Sequence, residues 1–194
     1  MSNYIVRALK FTCVADTGPD WGGTDDPYWI FTALDPGAQQ TKTTRSGVFA
    51  EVSPGGTRLF PPNSVVWPKQ GDIDGAPGPI ALSIQLWEED QGNAEATRKK
   101  TEQELSAIGH LPQLTDWAAQ VASVVGLAVV GAVEDEVMGA KTFLLQQSRL
   151  GKLLKNPGDS YVERFLFGGN TGDLLFEVAG IPDYELFLQV ERVT

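Results

Sequence analysis

The residues best suited to chemistry in this chain are carboxylates, and they are gathered in two places. The stretch Trp21-Gly22-Gly23-Thr24-Asp25-Asp26-Pro27-Tyr28, with Asp20 just before it, joins acidic side chains to two flexible glycines and a proline that restarts extended structure. A second group is split along the chain: Glu88-Glu89-Asp90, then Glu134-Asp135-Glu136 before Val137-Met138-Gly139. Carboxylate-rich loops at strand ends can share one hard cation, because such ions take several oxygen ligands; calcium is the first candidate.

Other chemistries lack their residues. His110 is the single histidine and Cys13 the single cysteine, so neither a zinc site of the usual composition nor a disulfide can be assembled within the chain. His110 lies next to Leu111-Pro112, where a surface turn is expected. No glycine-rich phosphate loop precedes a helix. The acidic pairs could do glycosidase-type work in principle, but nothing marks a substrate cleft. The formal net charge of −10 opposes nucleic-acid binding, which needs basic surface. The same charge opposes attraction to anionic lipid unless bound cations invert the local field. No charged segment followed by an apolar one opens the chain, so no secretory signal is expected.

The elements that must position the carboxylates are short strands. With 194 residues, 21 of them Gly and 12 Pro, the chain predicts one mainly β domain over 1–194. Tyr4 to Val14 alternates as a strand, with Val6, Ala8, Lys10 and Thr12 on one face and Ile5, Leu9, Phe11 and Cys13 on the other. Tyr28–Leu34, Gly47–Val52 and a strand from Thr57 follow, the last made irregular or peripheral by Pro61, Pro62 and Pro68. Gln39 to Arg45 reads as loop or edge. Asp72-Ile73-Asp74-Gly75 looks like part of a calcium loop but lacks the later ligands, and a solvated turn is the expectation. Ile80–Trp87, Ala140–Leu145, Tyr161–Phe167, Leu174–Val178 and Tyr184–Val193 complete the strands, and Ser148–Asn156 is polar and basic. Eight or so strands make an antiparallel β-sandwich.

Between Trp87 and Ala140 the pattern turns helical. Residues 91–133 form an inserted α-helical hairpin: a charged helix after Asn93 that ends at Gly109, and an apolar one from Trp117 to Val133. The second would span roughly 25 Å at 1.5 Å per residue. It either packs on the sandwich as core or inserts elsewhere, with Val125 and Val129 on its apolar surface.

Gly22-Gly23-Thr24-Asp25-Asp26-Pro27-Tyr28 resembles the first calcium loop of C2 domains, the calcium- and lipid-binding sandwiches of synaptotagmin and protein kinase C. Leu86-Trp87-Glu88-Glu89-Asp90 is similar to the first half of the family's third loop, and Glu136-Val137-Met138-Gly139 to the second half, with the hairpin inserted between. One strand precedes the first loop and another ends the chain, an order similar to the permuted, phospholipase-type form of the family. The resemblance implies a calcium-dependent, non-enzymatic module for a phospholipid membrane or a protein partner. Asp20, Asp26, Glu88, Asp90 and Glu136 are the side-chain ligands to expect, with backbone carbonyls of Trp21 or Glu89 completing the set. Trp21, beside Asp20, is the expected loop contact with lipid or partner. Two other readings remain open: a toxin or effector component whose hairpin inserts into membranes, and a structural scaffold that uses no calcium.

Overall fold

The structure is a computed structural model that describes residues 2–15, 24–35, 39–89, 93–106, 116–117, 119–120, 136–168 and 183–194. Its strands are β1 (Asn3–Ala15), β2 (Pro27–Asp35), β3 (Gln40–Arg45), β4 (Thr57–Leu59), β5 (Val65–Trp67), β6 (Ala76–Pro77), β7 (Ile80–Glu88), β8 (Glu136–Leu145), β9 (Ser160–Phe167) and β10 (Asp183–Arg192). Two helices are described, α1 (Ala94–Ser106) and α2 (Gln147–Leu153).

Two antiparallel sheets face each other. The first runs β4-β1-β10-β9, with β5 and β6 also on β1; the second runs β3-β2-β7-β8. The segments β4, β5 and β6 pair with successive parts of β1, at Lys10–Thr12, then Val6 and Arg7, then Asn3 and Tyr4. They are one edge position broken in three, so the described sandwich has eight strand positions, as the sequence predicts. The breaks follow the sequence too: Pro61, Pro62 and Pro68 fall between the segments, and proline cannot donate to a ladder. A strand precedes the first acidic loop and a strand ends the chain; these two are neighbours, and β2 lies in the other sheet. The first acidic loop therefore crosses between the sheets.

Three sequence expectations are corrected, and one helix lies where the sequence predicts no element. The alternation of β1 is not continuous. Ala8 pairs with Leu188 and Lys10 with Phe187, which leaves Leu9 as an extra residue in a bulge. The bulge reverses the phase, so Tyr4, Val6 and Ala8 face the core before it and Phe11 and Cys13 after it. The edge strand of the second sheet is Gln40–Arg45, not Gly47–Val52, which contributes a bridge from Val52 to Asp25 and a 3.0 Å hydrogen bond from the Phe49 amide to the Pro27 carbonyl. β-Branched Thr41, Thr43 and Thr44 suit the pleat, and Thr43 shares a buried 3.0 Å hydrogen bond with Thr32. The polar run after Gln146 forms α2, held by Leu150 and Leu154, both buried. Finally, Glu136-Val137-Met138-Gly139 opens β8 instead of lying in a loop.

The core between the sheets is aromatic. Phe11 meets Trp29, Phe49, Phe60 and Tyr184 at centroid distances of 5.7, 4.8, 5.9 and 5.9 Å. Cys13 is fully buried there, a small hydrophobe as expected. The central strands β2 and β7 are buried on both faces because α1 covers the outside of the second sheet, with Ala94 against Tyr28, Ile30 and Trp87. Ala94, Thr97, Thr101 and Leu105 recur at helical spacing and form its buried stripe. Arg98 ties the helix down through the Thr43 carbonyl at 3.3 Å, as does Glu95 through Arg45 of β3 at 3.1 Å, while Arg98 also pairs along the helix with Glu95 at 2.9 Å and Glu102 at 2.8 Å. The hydrogen bond from Arg98, against some desolvation, holds the Glu95 carboxyl below its usual range. This pair contributes at neutral pH and loses its contribution as pH falls through that lowered value.

The first hairpin helix is thus part of the sandwich. Most of the second lies outside the described residues, Val125 and Val129 included; Trp117 near its start is fully buried. Among the described residues no helix is long and apolar enough to cross a membrane. His110 and the expected strand Leu174–Val178 also lie outside the described residues.

The Asp72–Gly75 turn sits at the far end of the sandwich from the acidic loops, where Asn3 bonds the Asp74 carbonyl. Gly75 has φ +69°, and a Cβ there would lie 2.5 Å from the Tyr4 carbonyl oxygen. Gly75→Ala is expected to lower stability by more than about 1 kcal/mol, since backbone strain and the clash both oppose it. Urea denaturation measures this, and an unchanged midpoint refutes it.

Candidate metal centre

Strand pairing brings the acidic segments to one end. Across the second sheet Pro27 pairs with Glu88, and Glu88 with Glu136. In the first sheet Ala15, the last residue of β1, pairs with Asp183. The exit of β1, the entry of β2, the exit of β7, the entry of β8 and the entry of β10 therefore share that end. The segment after β3 arrives there too, through Asp25 and Val52, which exchange backbone hydrogen bonds of 3.0 and 2.8 Å.

Asp26 is the best defined of the expected ligands. Its Oδ1 accepts the Glu51 amide at 2.8 Å, and its carbonyl accepts the Glu89 amide at 3.2 Å. One carboxylate oxygen is thus spent on positioning, while Oδ2 has no hydrogen-bond partner among the described residues. The first acidic loop is stitched directly to the start of the second cluster. Glu88 and Glu136 stand at directly opposed register positions on neighbouring strands.

Of the expected set, Asp26, Glu88 and Glu136 come to this end, and Glu89 lies beside Asp26. Asp20, Trp21 and Asp90 lie outside the described residues. Among the described residues no group of three or more His, Cys, Asp or Glu side chains is arranged to hold a metal ion. The donors present are all oxygens, which suits calcium, but three carboxylates are too few for its usual six to eight ligands.

Sequence reasoning passed over Asp25 and Tyr184. Asp25 is 2% exposed, and its Oδ2 accepts a 2.8 Å hydrogen bond from the buried Tyr184 hydroxyl. Burial first, then Asp25 beside it, pushes the Tyr184 hydroxyl well above the usual tyrosine range, so it stays protonated and donates. The available signal was the doubled aspartate: next to a strand, consecutive residues point to opposite sides, so only one of Asp25 and Asp26 can face solvent.

No family model matches the chain, and no curated protein matches it. Several solved structures are similar. Human GIVD cytosolic phospholipase A2, in complex with methyl gamma-linolenyl fluorophosphonate, is 13% identical, with a TM-score of 0.41, over 99% of this chain and 17% of that one. A C2 domain of plant extended synaptotagmin 1 is 11% identical, with a TM-score of 0.41, over 100% of this chain and 96% of that one. A CC2D1B structure is 7% identical, with a TM-score of 0.41, over 99% of this chain and 55% of that one. The chain thus spans less than a fifth of the phospholipase. These are distant likenesses of fold alone.

Proposed function

We propose that the chain is a non-enzymatic, calcium-binding module that docks on a phospholipid surface or a protein partner when the ion is bound. The observation that supports this reading is the stitched acidic end, where Asp26 is tied to Glu51 and Glu89 while Glu88 and Glu136 occupy paired positions on neighbouring strands. Carboxylates gathered at one end repel one another, and a divalent cation relieves that repulsion. Asp20, Asp26, Glu88, Asp90 and Glu136 supply the side-chain oxygens in this reading. Carbonyls of Trp21 or Glu89 add to them. The bound ion neutralises one end of a chain whose net charge is −10 and lets that end approach anionic headgroups, with Trp21 in contact.

Calorimetric titration with calcium, with and without phosphatidylserine vesicles, tests the proposal. Binding heat is expected in both, and sedimentation with vesicles only when calcium is present. Absence of binding heat overturns the calcium reading and favours a calcium-free scaffold. Heat without sedimentation makes the target a protein. Leakage of vesicle contents that Val125→Asp and Val129→Asp abolish while binding persists would favour the membrane-inserting reading instead.

A further inference from the structure

Among the described residues β9 pairs with β10 alone, over eight consecutive positions with no register shift, and it contains neither proline nor glycine. The ladder shows which backbone groups this pairing leaves over. Arg192, opposite Asp159, donates its amide to the Asp159 carbonyl at 3.0 Å. Bonded pairs alternate along an antiparallel ladder. Val190 with Tyr161, Leu188 with Glu163, Leu186 with Phe165 and Tyr184 with Phe167 are therefore the bonded pairs, and Ser160, Val162, Arg164 and Leu166 direct their amides and carbonyls away from β10. The same four residues put their side chains on the outer face, since their partners on β10 alternate with the buried Tyr184, Leu186, Leu188 and Val190. Val162 is 54% exposed and Leu166 42%. Between them Arg164 has its side chain 57% exposed and pairs with Glu185 at 3.1 Å.

We propose that β9 docks an extended segment of a partner protein, which adds to the first sheet as an antiparallel strand; this goes beyond the calcium reading and needs no bound ion. Backbone bonds to Val162, Arg164 and Leu166 hold the segment, and its side chains must suit those of β9 on both faces. Charge selects the partner. Directly opposed residues share a face, so a second copy, paired antiparallel along most of β9, can centre only on Glu163 or on Arg164. Either register sets that residue against itself, and like charges directly opposite oppose the pairing. Glu163, opposite the buried Leu188, also points a charge to the inner side, which turns away indiscriminately apolar strands. The segment that fits carries an acidic residue opposite Arg164, a basic one opposite Glu163, and apolar ones opposite Val162, Phe165 and Leu166. Read in its own direction, that is apolar, apolar, acidic, basic, apolar.

The probe is the capped peptide Thr-Leu-Val-Glu-Lys-Val-Thr, titrated in the presence of chelator into the isotope-labelled full chain and followed by amide hydrogen exchange. Without peptide, the amides of Tyr161, Glu163 and Phe165 are expected to be protected by β10, and those of Val162, Arg164 and Leu166 to exchange freely. Saturating peptide is expected to protect this second, alternate set. A peptide with its Glu and Lys exchanged is expected to bind about tenfold more weakly; tenfold is 1.4 kcal/mol, the scale of cross-strand attractions turned into repulsions. Arg164→Glu is expected to weaken the first peptide similarly, and a peptide with Lys in place of its Glu to restore binding to that variant. No binding at millimolar peptide, protection without the alternate pattern, or equal affinity for the two peptides overturns the proposal. Protection of the same amides that grows with protein concentration alone makes the occupant a second copy and overturns it too. Should Arg164→Glu fail to fold, the discrimination of the wild type between the two peptides decides.

Discussion

Phe11→Ala is expected to cost about 3–5 kcal/mol of folding stability, the range for truncating a fully buried aromatic side chain. Phe11 has no exposed surface and touches four other aromatic rings, one from β2, one from β10 and two from the segments between β3 and β5. Each such pair adds about 0.5–1.5 kcal/mol beyond area burial. The cavity left by truncation opens where both sheets and the edge segments meet, so no single element can move to fill it. Domains of ordinary stability hold about 5–15 kcal/mol in total, so the variant forfeits a large share. Urea denaturation should show a much lower midpoint with an unchanged slope. A loss under about 1 kcal/mol would show that Phe11 is not the hub of the core.

Calcium is expected to raise the melting temperature, and Asp26→Asn to remove most of that rise. A ligand that binds only the native state stabilises it by about 2.7 kcal/mol at a hundredfold excess over its dissociation constant. For a chain of this length that corresponds to a shift of roughly 5–10 °C. Asp26 is the decisive position because its carbonyl and its carboxylate join three chain segments at the acidic end. Its substitution by Asn keeps an acceptor for the Glu51 amide while it removes the charge, so the apo protein should melt close to wild type. Magnesium, which demands a tighter octahedral shell, should shift the wild type less. A melting temperature that ignores millimolar calcium refutes the metal reading.

The sandwich was legible where side-chain periodicity reports burial. Tyr184 to Val193 alternates, and it is β10; Ile80 to Trp87 reads as a strand by the same pattern, but in β7 its polar face is buried too, under α1. The sequence was less legible where tertiary context overrides local pattern. Leu9 looks like a core residue, yet the bulge in β1 takes it out of the core and turns Phe11 in. The polar Gln40–Arg45 run carries no hydrophobic signal, but it gains backbone partners from β2 and contacts from α1 through Arg98 and Glu95. α2 is too short for any periodicity to register and depends on two leucines finding the core. At the candidate site, acidic composition marks the stretches whose described ends strand pairing brings together. It did not distinguish Asp26, whose carboxylate accepts the Glu51 amide, from Asp25, whose carboxylate is committed to Tyr184. That distinction depends on a residue more than 150 positions away, which local spacing cannot reveal.

The broken edge of the first sheet has a consequence for how copies of this chain behave at high concentration. A long, flat, unpaired edge is a template on which another chain can add a strand, the first step toward β-aggregation. Here the edge presents segments of three, three and two residues, set apart by turns and by Pro61, Pro62 and Pro68. An incoming strand can find only a few consecutive backbone partners before the direction changes or a donor is missing. This side of the sandwich is therefore closed to intermolecular strand growth by its backbone alone, whatever side chains it carries.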